Sequence, residues 1–207
     1  MTVPDTAAHS PTRSPGRPRE FDMDVALDAA IRIFSEKGYH GTSINELKAV
    51  MGLTAGSIYK AFRDKRDVFM AAYDRYKQVR ADLLDEALAS ACNGREKVSR
   101  VVGFYAMAAC GETGRRGCLA IGAAVELTLS DPEIAERVSL HNERLVGRIE
   151  AFIREGQADG SIRPDLVPAP TALALFSYLQ GIRIAGKTAA LEAQTLASAE
   201  AVLRLLD

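Results

Sequence analysis

Apolar residues recur along most of this chain every three to four positions and nowhere alternate convincingly, so the pattern predicts helices throughout and no strands. Ala26, Ala29, Ala30, Ile33 and Phe34 share one face of a helix expected to open at Phe21 and Asp22, with Asp22 as N-cap, and to end at Gly38. Ser43 and Glu46 have the spacing of a capping box, in which the hydroxyl accepts from the Glu46 N–H and the carboxylate reaches back to the Ser43 N–H. A helix therefore begins at Ile44, carries Ile44, Leu47, Val50 and Met51 at helical spacing on one face, and stops at Gly52 in a left-handed conformation. Thr54 sits where the next N-cap belongs, Leu53 and Ile58 form a hydrophobic staple, and the helix runs to Phe62. Two helices this short, joined by a glycine turn, do not stand alone, because nucleation is costly. The preceding helix is the element that covers their inner faces, and together the three make a helix-turn-helix unit of the kind that reads DNA.

Downstream, Asp64 caps a long helix to about residue 90, with Phe69, Ala72, Tyr73, Tyr76, Val79 and Leu83 in register. Only Arg63 and Asp64 separate it from the unit before it, so a movement of its far end should be transmitted. Further helices are expected from Arg95 to about Cys110, from Cys118 to about Leu129, and from Pro132, at N1 behind Asp131, to Gly160. The last carries Ile134, Val138, His141, Leu145, Ile149 and Phe152 on one face. Two more, about Pro170 to Lys187 and Leu191 to Leu206, complete an all-α chain of about nine helices, with an arm at 1–20, the helix-turn-helix domain at 21–63 and a second helical domain at 64–207. The final pair presents Leu175, Phe176, Leu179 and Ile182, then Leu196, Ala199, Val202, Leu203 and Leu206. Such faces complete the chain's own core or pair with a second copy. An isologous homodimer through 170–187 and 191–206 is expected, since one helix-turn-helix contacts too few base pairs for specificity.

Charge changes this picture only locally. The 207 residues carry a formal net charge of −1, which argues against a polyelectrolyte binder. Between Ser43 and Arg66, however, Lys48, Lys60, Arg63, Lys65 and Arg66 face only Glu46 and Asp64, the local excess that a DNA face requires. Residues 1–20 are rich in Pro, Ser, Thr and Arg without periodicity and are expected to be disordered. Arg13, Arg17 and Arg19 there suit either a minor-groove arm or a solvated tail.

In the second short helix, Thr54, Ala55, Ser57, Tyr59 and Lys60 should face outward while Ile58 and Phe62 point in. Ala55 and Gly56 keep its start slim enough for backbone amides and hydroxyls to approach a major groove, and Lys60 alone can bring a charge near guanine. Other chemistries find little support. No G-x-S-x-G, P-loop, H-E-x-x-H or interpretable acid and base pair occurs, so no enzyme activity is expected. Cys92, Cys110 and Cys118 form no C-x-x-C, and His9, His40 and His141 have no metal-ligand spacing, so thiols are expected and no metal or cofactor. No apolar run reaches the roughly 18 residues of a membrane helix and the start lacks a signal-peptide core, from which a cytoplasmic location without membrane contact is expected.

The stretch FDMDVALDAAIRIFSEKGYHGTSINELKAVMGLTAGSIYKAFRDKRDVF, residues 21 to 69, strongly resembles the N-terminal domain of the TetR family of bacterial transcriptional regulators. The particulars are Gly38-Tyr39, Thr42-Ser43-Ile44, Gly52-Leu53-Thr54, Gly56-Ser57-Ile58-Tyr59, then Phe62 and Lys65. The C-terminal half is similar to that family's ligand-binding and dimerisation domain, most clearly in Arg116-Gly117-Cys118-Leu119 and in Ala158 to Pro164. The resemblance implies an Ω-shaped homodimer that represses from a palindromic double-stranded operator and leaves when a small-molecule effector binds, although a minority of the family activates. It implies phosphate contacts for Tyr59 and Lys65, with Thr42 and Thr54 nearer the helix starts. It also implies a cavity among the helices from Asp64 to Phe152, with Phe69, Tyr73, Phe104, Met107, Cys118, Ile121 and His141 as candidate linings. Core roles compete with each of these, most plainly for His141 in its apolar stripe. Cys110 and Cys118 flank a glycine-rich loop with Arg115 and Arg116, so a thiol-based redox or electrophile sensor is the alternative, beside inert buried cysteine.

Overall fold

The computed structural model describes residues 22–188 and 191–207, apart from the side chains of Ala55 and Tyr59. The arm at 1–20, Arg17 and Arg19 within it, and Phe21 lie outside the described residues.

Three helices open the chain: α1 Met23–Lys37, α2 Ile44–Met51 and α3 Ala55–Ala61. Each start is fixed by its own residue. Asp22 accepts from the Asp24 N–H at 2.9 Å, and Thr54 accepts from the Ser57 N–H at 3.2 Å. The Ser43 and Glu46 box closes in both directions, at 3.2 and 2.8 Å. Gly52 ends α2 at φ 64°, a left-handed geometry that any side chain would strain. Leu53 and Ile58 are both buried beneath the turn.

The helix α4, Lys65–Leu88, starts behind Asp64, which accepts from the Asp67 N–H at 2.9 Å. There follow α5 Gly94–Ala108, α6 Gly111–Arg116, α7 Leu119–Glu126, α8 Pro132–Asp159, α9 Pro168–Ala185 and α10 Glu192–Leu203, with 3₁₀ turns at Gly186–Thr188 and Arg204–Leu206. Among the described residues the fold is all-helical. Its extra helix relative to the sequence pattern is α6, where the segment between Cys110 and Cys118, expected as a loop, winds through six residues between Gly111 at φ 60° and Gly117 at φ 97°.

Apolar side chains gather in two cores. The first joins Phe34, Leu47 and Ile58 of the short helices to Val68, Phe69 and Tyr73 of α4, Leu119 and Leu127 around α7, and Ile134 and Val138 of α8. Each such burial contributes roughly 1.5–3 kcal/mol. The three-helix unit thus has no core that stops at residue 63. The second core holds Leu84, Val98 to Ala106 of α5, Leu145 to Ile153 of α8, and the inner faces of α9 and α10. At one crossing α5 meets α8 so closely that a Cβ on Gly94 would overlap the Gly156 backbone.

The faces expected to await a second copy are largely used inside the chain. Leu175, Leu179, Ile182, Ala199 and Leu206 are buried, and Phe176, Val202 and Leu203 pack partly against them. The large apolar side chains left exposed on this pair include Leu173, Ile184, Leu191, Leu196 and Leu205.

Candidate nucleic-acid interface and interior cavities

The caps and the first core hold α3 at the surface with a polar outer side. Ile58 is buried, Phe62 packs partly against the core, and Thr54, Gly56 and Lys60 are exposed, with Ser57 half-buried. Nothing lies within 4 Å of where a Cβ on Gly56 would project, so the start of α3 is as slim as the sequence implied. The Thr54 and Ser57 hydroxyls share a hydrogen bond at 2.9 Å, leaving them adjacent on the open face. Ala55 and Tyr59 belong to the same helix, and their side chains lie outside the described residues.

Two residues expected at phosphates are engaged otherwise. Thr42 is buried and its hydroxyl donates to the Gly38 carbonyl at 2.7 Å, closing the turn between α1 and α2. Lys65 donates to the Tyr39 and Thr42 carbonyls, both at 3.0 Å, with its ammonium 4.2 Å from the centre of the Tyr39 ring. An ammonium has three protons, so this clamp leaves one donor. Arg63 pairs with Asp67 at 2.5 Å while staying exposed.

The same region ties α1 and the turn after it to the later helices, and ties those helices to one another. Arg66, at the start of α4, forks onto Asp131 at 2.5 and 2.9 Å and also donates to Glu133 at 2.8 Å, which bolts the first turn of α4 to the first turn of α8. The bond from Arg66 holds the Asp131 carboxyl down to about 2, and the guanidinium is raised in turn. Arg75 reaches back to Asp28 at 2.7 Å and Asp24 at 3.0 Å on α1. Glu126, at the end of α7, accepts the His40 N–H at 3.0 Å and lies where a side chain on Gly38 would collide with it. Lys37 bridges to Glu46 at 2.5 Å, and this bond with those from Ser43 holds the Glu46 carboxyl down to about 2.

The residues expected to line one effector pocket are distributed over several places. A cavity of about 460 Å³ opens between α4, α5 and α8, and His141 is on its wall with Lys77, Arg80, Tyr105 and Arg144. His141 Nδ1 donates to the Arg137 carbonyl at 2.7 Å and the ring meets Tyr73 edge-on, 5.6 Å between centres. Burial holds its pKa below the ordinary imidazole value. It is thus a satisfied histidine and a cavity wall at once. Tyr73 lies buried behind it, its phenol pushed up by burial. Phe69 is deeper, packed edge-on against Phe34 and Tyr39 in the first core. Phe104 and Met107 line a separate open groove on α5, where Arg80 stacks 3.9 Å over the Phe104 ring and Met107 is 66% exposed.

Cys118 and Ile121 instead line a second cavity of about 340 Å³, between α1, α7 and the end of α9, with Phe34, Glu126, Arg183 and Lys187. The Cys118 sulfur is 3.3 Å from the Tyr76 hydroxyl at the N-cap of α7. Arg183 is buried, donates one Nη to the Gly117 carbonyl at 2.9 Å, and has no hydrogen-bond partner for its other Nη among the described residues. Burial opposes ionisation of the Cys118 thiol, but Arg183, the Tyr76 hydroxyl and the amides of Ile121 and Ala120 outweigh it and hold the thiol below its ordinary value. Cys110 differs: its thiol lies 3.3 Å from the Ala106 carbonyl and is pushed up by burial.

The profile of bacterial regulatory proteins of the tetR family matches residues 26–72, and that of the tetracyclin repressor-like C-terminal domain matches 94–202. The chain belongs to the TetR family. It is 29% identical over 196 residues to the HTH-type transcriptional repressor ComR of Escherichia coli, covering 93% of this chain and 92% of that one. It is 28% identical to the transcriptional regulator AcuR of Cereibacter sphaeroides, over 89% of this chain and 86% of the other. Among solved structures, a cysteine mutant of the TetR-family regulator CifR complexed with 26-bp double-strand operator DNA superposes with a TM-score of 0.82 at 27% identity, over 93% of this chain and 100% of that one. The FadR regulator of Bacillus subtilis in complex with stearoyl-CoA shares the fold, with a TM-score of 0.68 at 20% identity, over 87% and 95% of the two chains. As a TetR-family member the chain is a DNA-binding transcriptional regulator. No helix among its described residues is long and apolar enough to cross a membrane.

The cations around the cavity between α4, α5 and α8 of this TetR-family chain were not among the expected site residues. Arg137, His141, Arg144 and Arg148 descend one face of α8 at spacings of four, three and four residues, and Lys77 and Arg80 sit three apart on α4. That stripe was present in the sequence. It was obscured because His141 also fits the apolar register of the same helix.

Proposed function

We propose that this chain is a repressor that binds a palindromic operator as a homodimer and releases it when a small-molecule effector occupies its interior. The observation that carries the reading is the junction: Arg75 and Glu126 bolt α1 and the turn after it to α4 and α7, Lys65 clamps the same turn from the start of α4, and Arg66 locks α4 to α8. A ligand that changes the relation of α4, α7 and α8 would therefore reposition α3, shifting the population between two spacings of the paired DNA-binding domains. The E. coli relative is a repressor, CifR has been complexed with operator DNA, and FadR with an acyl-CoA, which supports the reading by analogy.

In this reading Thr54, Ala55, Ser57, Tyr59 and Lys60 approach the groove, with Arg17 and Arg19 of the arm beside them. Lys65 uses its remaining donor on phosphate while Thr42 shapes the turn. The dimer forms through the exposed faces of α9 and α10 around Leu173, Ile184, Leu191 and Leu196. The domains divide near residue 64, at the cap of α4. Selection of bound sequences from a random DNA pool should yield a palindrome, with affinity falling steeply with salt. Tyr59→Ala and Lys60→Ala, folded and dimeric, should bind that palindrome roughly tenfold or more weakly. Wild-type affinity in both would overturn the interface.

A second reading is favoured by one observation, the lowered pKa of Cys118 beside a buried arginine with an unpartnered Nη. Here the signal is an electrophile: the Cys118 thiolate bonds to the β-carbon of an activated alkene, whose α-carbon takes a proton from water. N-ethylmaleimide should then label Cys118 before Cys110 and release operator, and Cys118→Ser should abolish that release. Release unchanged in Cys118→Ser would remove this reading.

A further inference from the structure

The cavity between α4, α5 and α8 has a charge imbalance that its own carboxylates do not correct. Lys77, Arg80, Arg137, Arg144 and Arg148 line it, against Asp74 alone. Arg137 bonds to Asp74 and Glu133, and Arg148 bonds to Asp85 at 2.6 Å. Arg80 lies over the Phe104 ring. The side chains of Lys77 and of Arg144, the latter exposed, have neither an ion pair nor a hydrogen bond among the described residues. Lys77 is half-buried, and burial holds its ammonium below the ordinary lysine value; the nearby Cys118 thiol is its one anionic influence. A half-buried cation without a counterion is unfavourable in the empty protein and is relieved by an incoming anion. Gln78 and His141 add polar groups to the wall, and its apolar part is Ala81, Leu84, Leu140, Leu145 and Tyr105.

We propose that this cavity takes an organic anion, its carboxylate or phosphate head meeting Lys77 and Arg144 and its apolar body lying against Leu84, Tyr105 and Leu145. The volume, about 460 Å³, is that of a small-molecule site. Charge-assisted bonds to the head set orientation and discriminate against neutral molecules of the same shape. The inference rests on the effector-controlled reading only for its consequence at DNA, since binding itself depends on the cavity alone.

Calorimetric titration of the full-length protein with decanoate, decyl phosphate, decanol and decylamine separates head from body. At least one of the two anions should bind once per chain, at least tenfold tighter than decanol, with decylamine weakest. The double variant Lys77→Gln, Arg144→Gln should weaken the anion roughly ten- to hundredfold and leave decanol unmoved. Helical circular dichroism checks its fold, and Lys77→Arg with Arg144→Lys, which keeps both charges, should retain binding. The proposal is overturned if neither anion binds, if decanol binds as tightly, or if the double variant binds the anion like wild type. Operator release is followed on the same samples. Anion binding without release would overturn effector control by this cavity and leave its ligand class standing; release by decanol with no anion bound would do the reverse.

Discussion

The two halves of the molecule begin their helices in different ways. Every helix from α1 to α5 has a side-chain cap at its start, from Asp22, Ser43, Thr54, Asp64 and Asn93. In the later half only α8 has one, from Asp131, while α6, α7, α9 and α10 start with no side-chain cap bond. The difference extends to buried polar groups. Thr42 and Lys65 are satisfied by backbone carbonyls at the DNA end, whereas Arg183 keeps an unpartnered Nη in the interior of the other half. The DNA-facing unit is thus specified by neighbours in sequence. The second half is held by packing between distant segments, and there the buried Thr195 is satisfied by the Leu191 carbonyl while Arg183 keeps one Nη open.

The strongest way to break this comparison is to show that the halves do not share a core. Phe69 belongs to α4 but packs on Phe34 and Tyr39, at centre distances of 5.0 and 5.2 Å. Phe69→Ala should lower stability by about 3–5 kcal/mol. In urea, helicity and operator binding should be lost in one transition; two separated transitions would mean that the three-helix unit folds by itself.

Next in size is the operator face. Lys60→Ala should lower operator affinity roughly tenfold and alter the salt slope, by about one if Lys60 neutralises a phosphate and by less if it reads a base. Lys187→Ala, on the cavity near Cys118, should leave affinity for operator unchanged without effector, and an equal loss there would dissolve the division of labour.

The caps themselves give a smaller, sharper test. Ser43→Ala should cost about 1 kcal/mol in chemical denaturation, because it removes the hydroxyl that accepts the Glu46 N–H and donates to the Glu46 carboxylate, leaving only the backbone arm of the box. At Val167, the exposed and uncapped start of α9 ahead of Pro168, Val167→Ser should instead stabilise by about 0.5 kcal/mol. If Val167→Ser is destabilising, the missing cap is not a vacancy that local chemistry can fill.

This asymmetry explains what could be read from the chain. Capping boxes, glycine stops and the Leu53 and Ile58 staple act within five residues, so the starts and stops of the first helices were legible, while Val50, expected on the inner face of α2, is exposed. The start of α8 at Pro132 was equally plain. The segment from Gly111 to Arg116 was not, because its helix has only weak local reasons to form and lies against the turn at Gly186, far off in sequence. The candidate cavity residues dispersed for a related reason: Phe69, His141 and Met107 are alike in hydrophobic pattern, and only packing sends one to the core, one to a cavity wall and one to the surface. Thr42 and Lys65 show that a site residue can also have a structural task the sequence pattern does not reveal. Their family positions suggested phosphate, yet the turn between α1 and α2 needs its carbonyls satisfied before any DNA arrives.

The smallest effect concerns the bolt between α4 and α8. Asp131 caps α8 and also receives Arg66, and the second role lowers its carboxyl to about 2 from an ordinary 3.8. A carboxyl depressed in the folded state contributes stability above its unfolded pKa and loses it as pH falls through the folded one. Asp131→Asn keeps a good N-cap residue and removes the charge, so it isolates the bolt from the cap. At neutral pH the variant should be less stable by under about 1 kcal/mol, since the pair is partly solvated. Thermal midpoints followed downward should hold that gap until about pH 4 and close it towards pH 2, where wild type also becomes neutral. A gap that persists at pH 2 would assign the loss to cap geometry. A gap absent at pH 7 would mean that Arg66 finds enough in Glu133, and the junction would then be carried by Arg75 and Glu126.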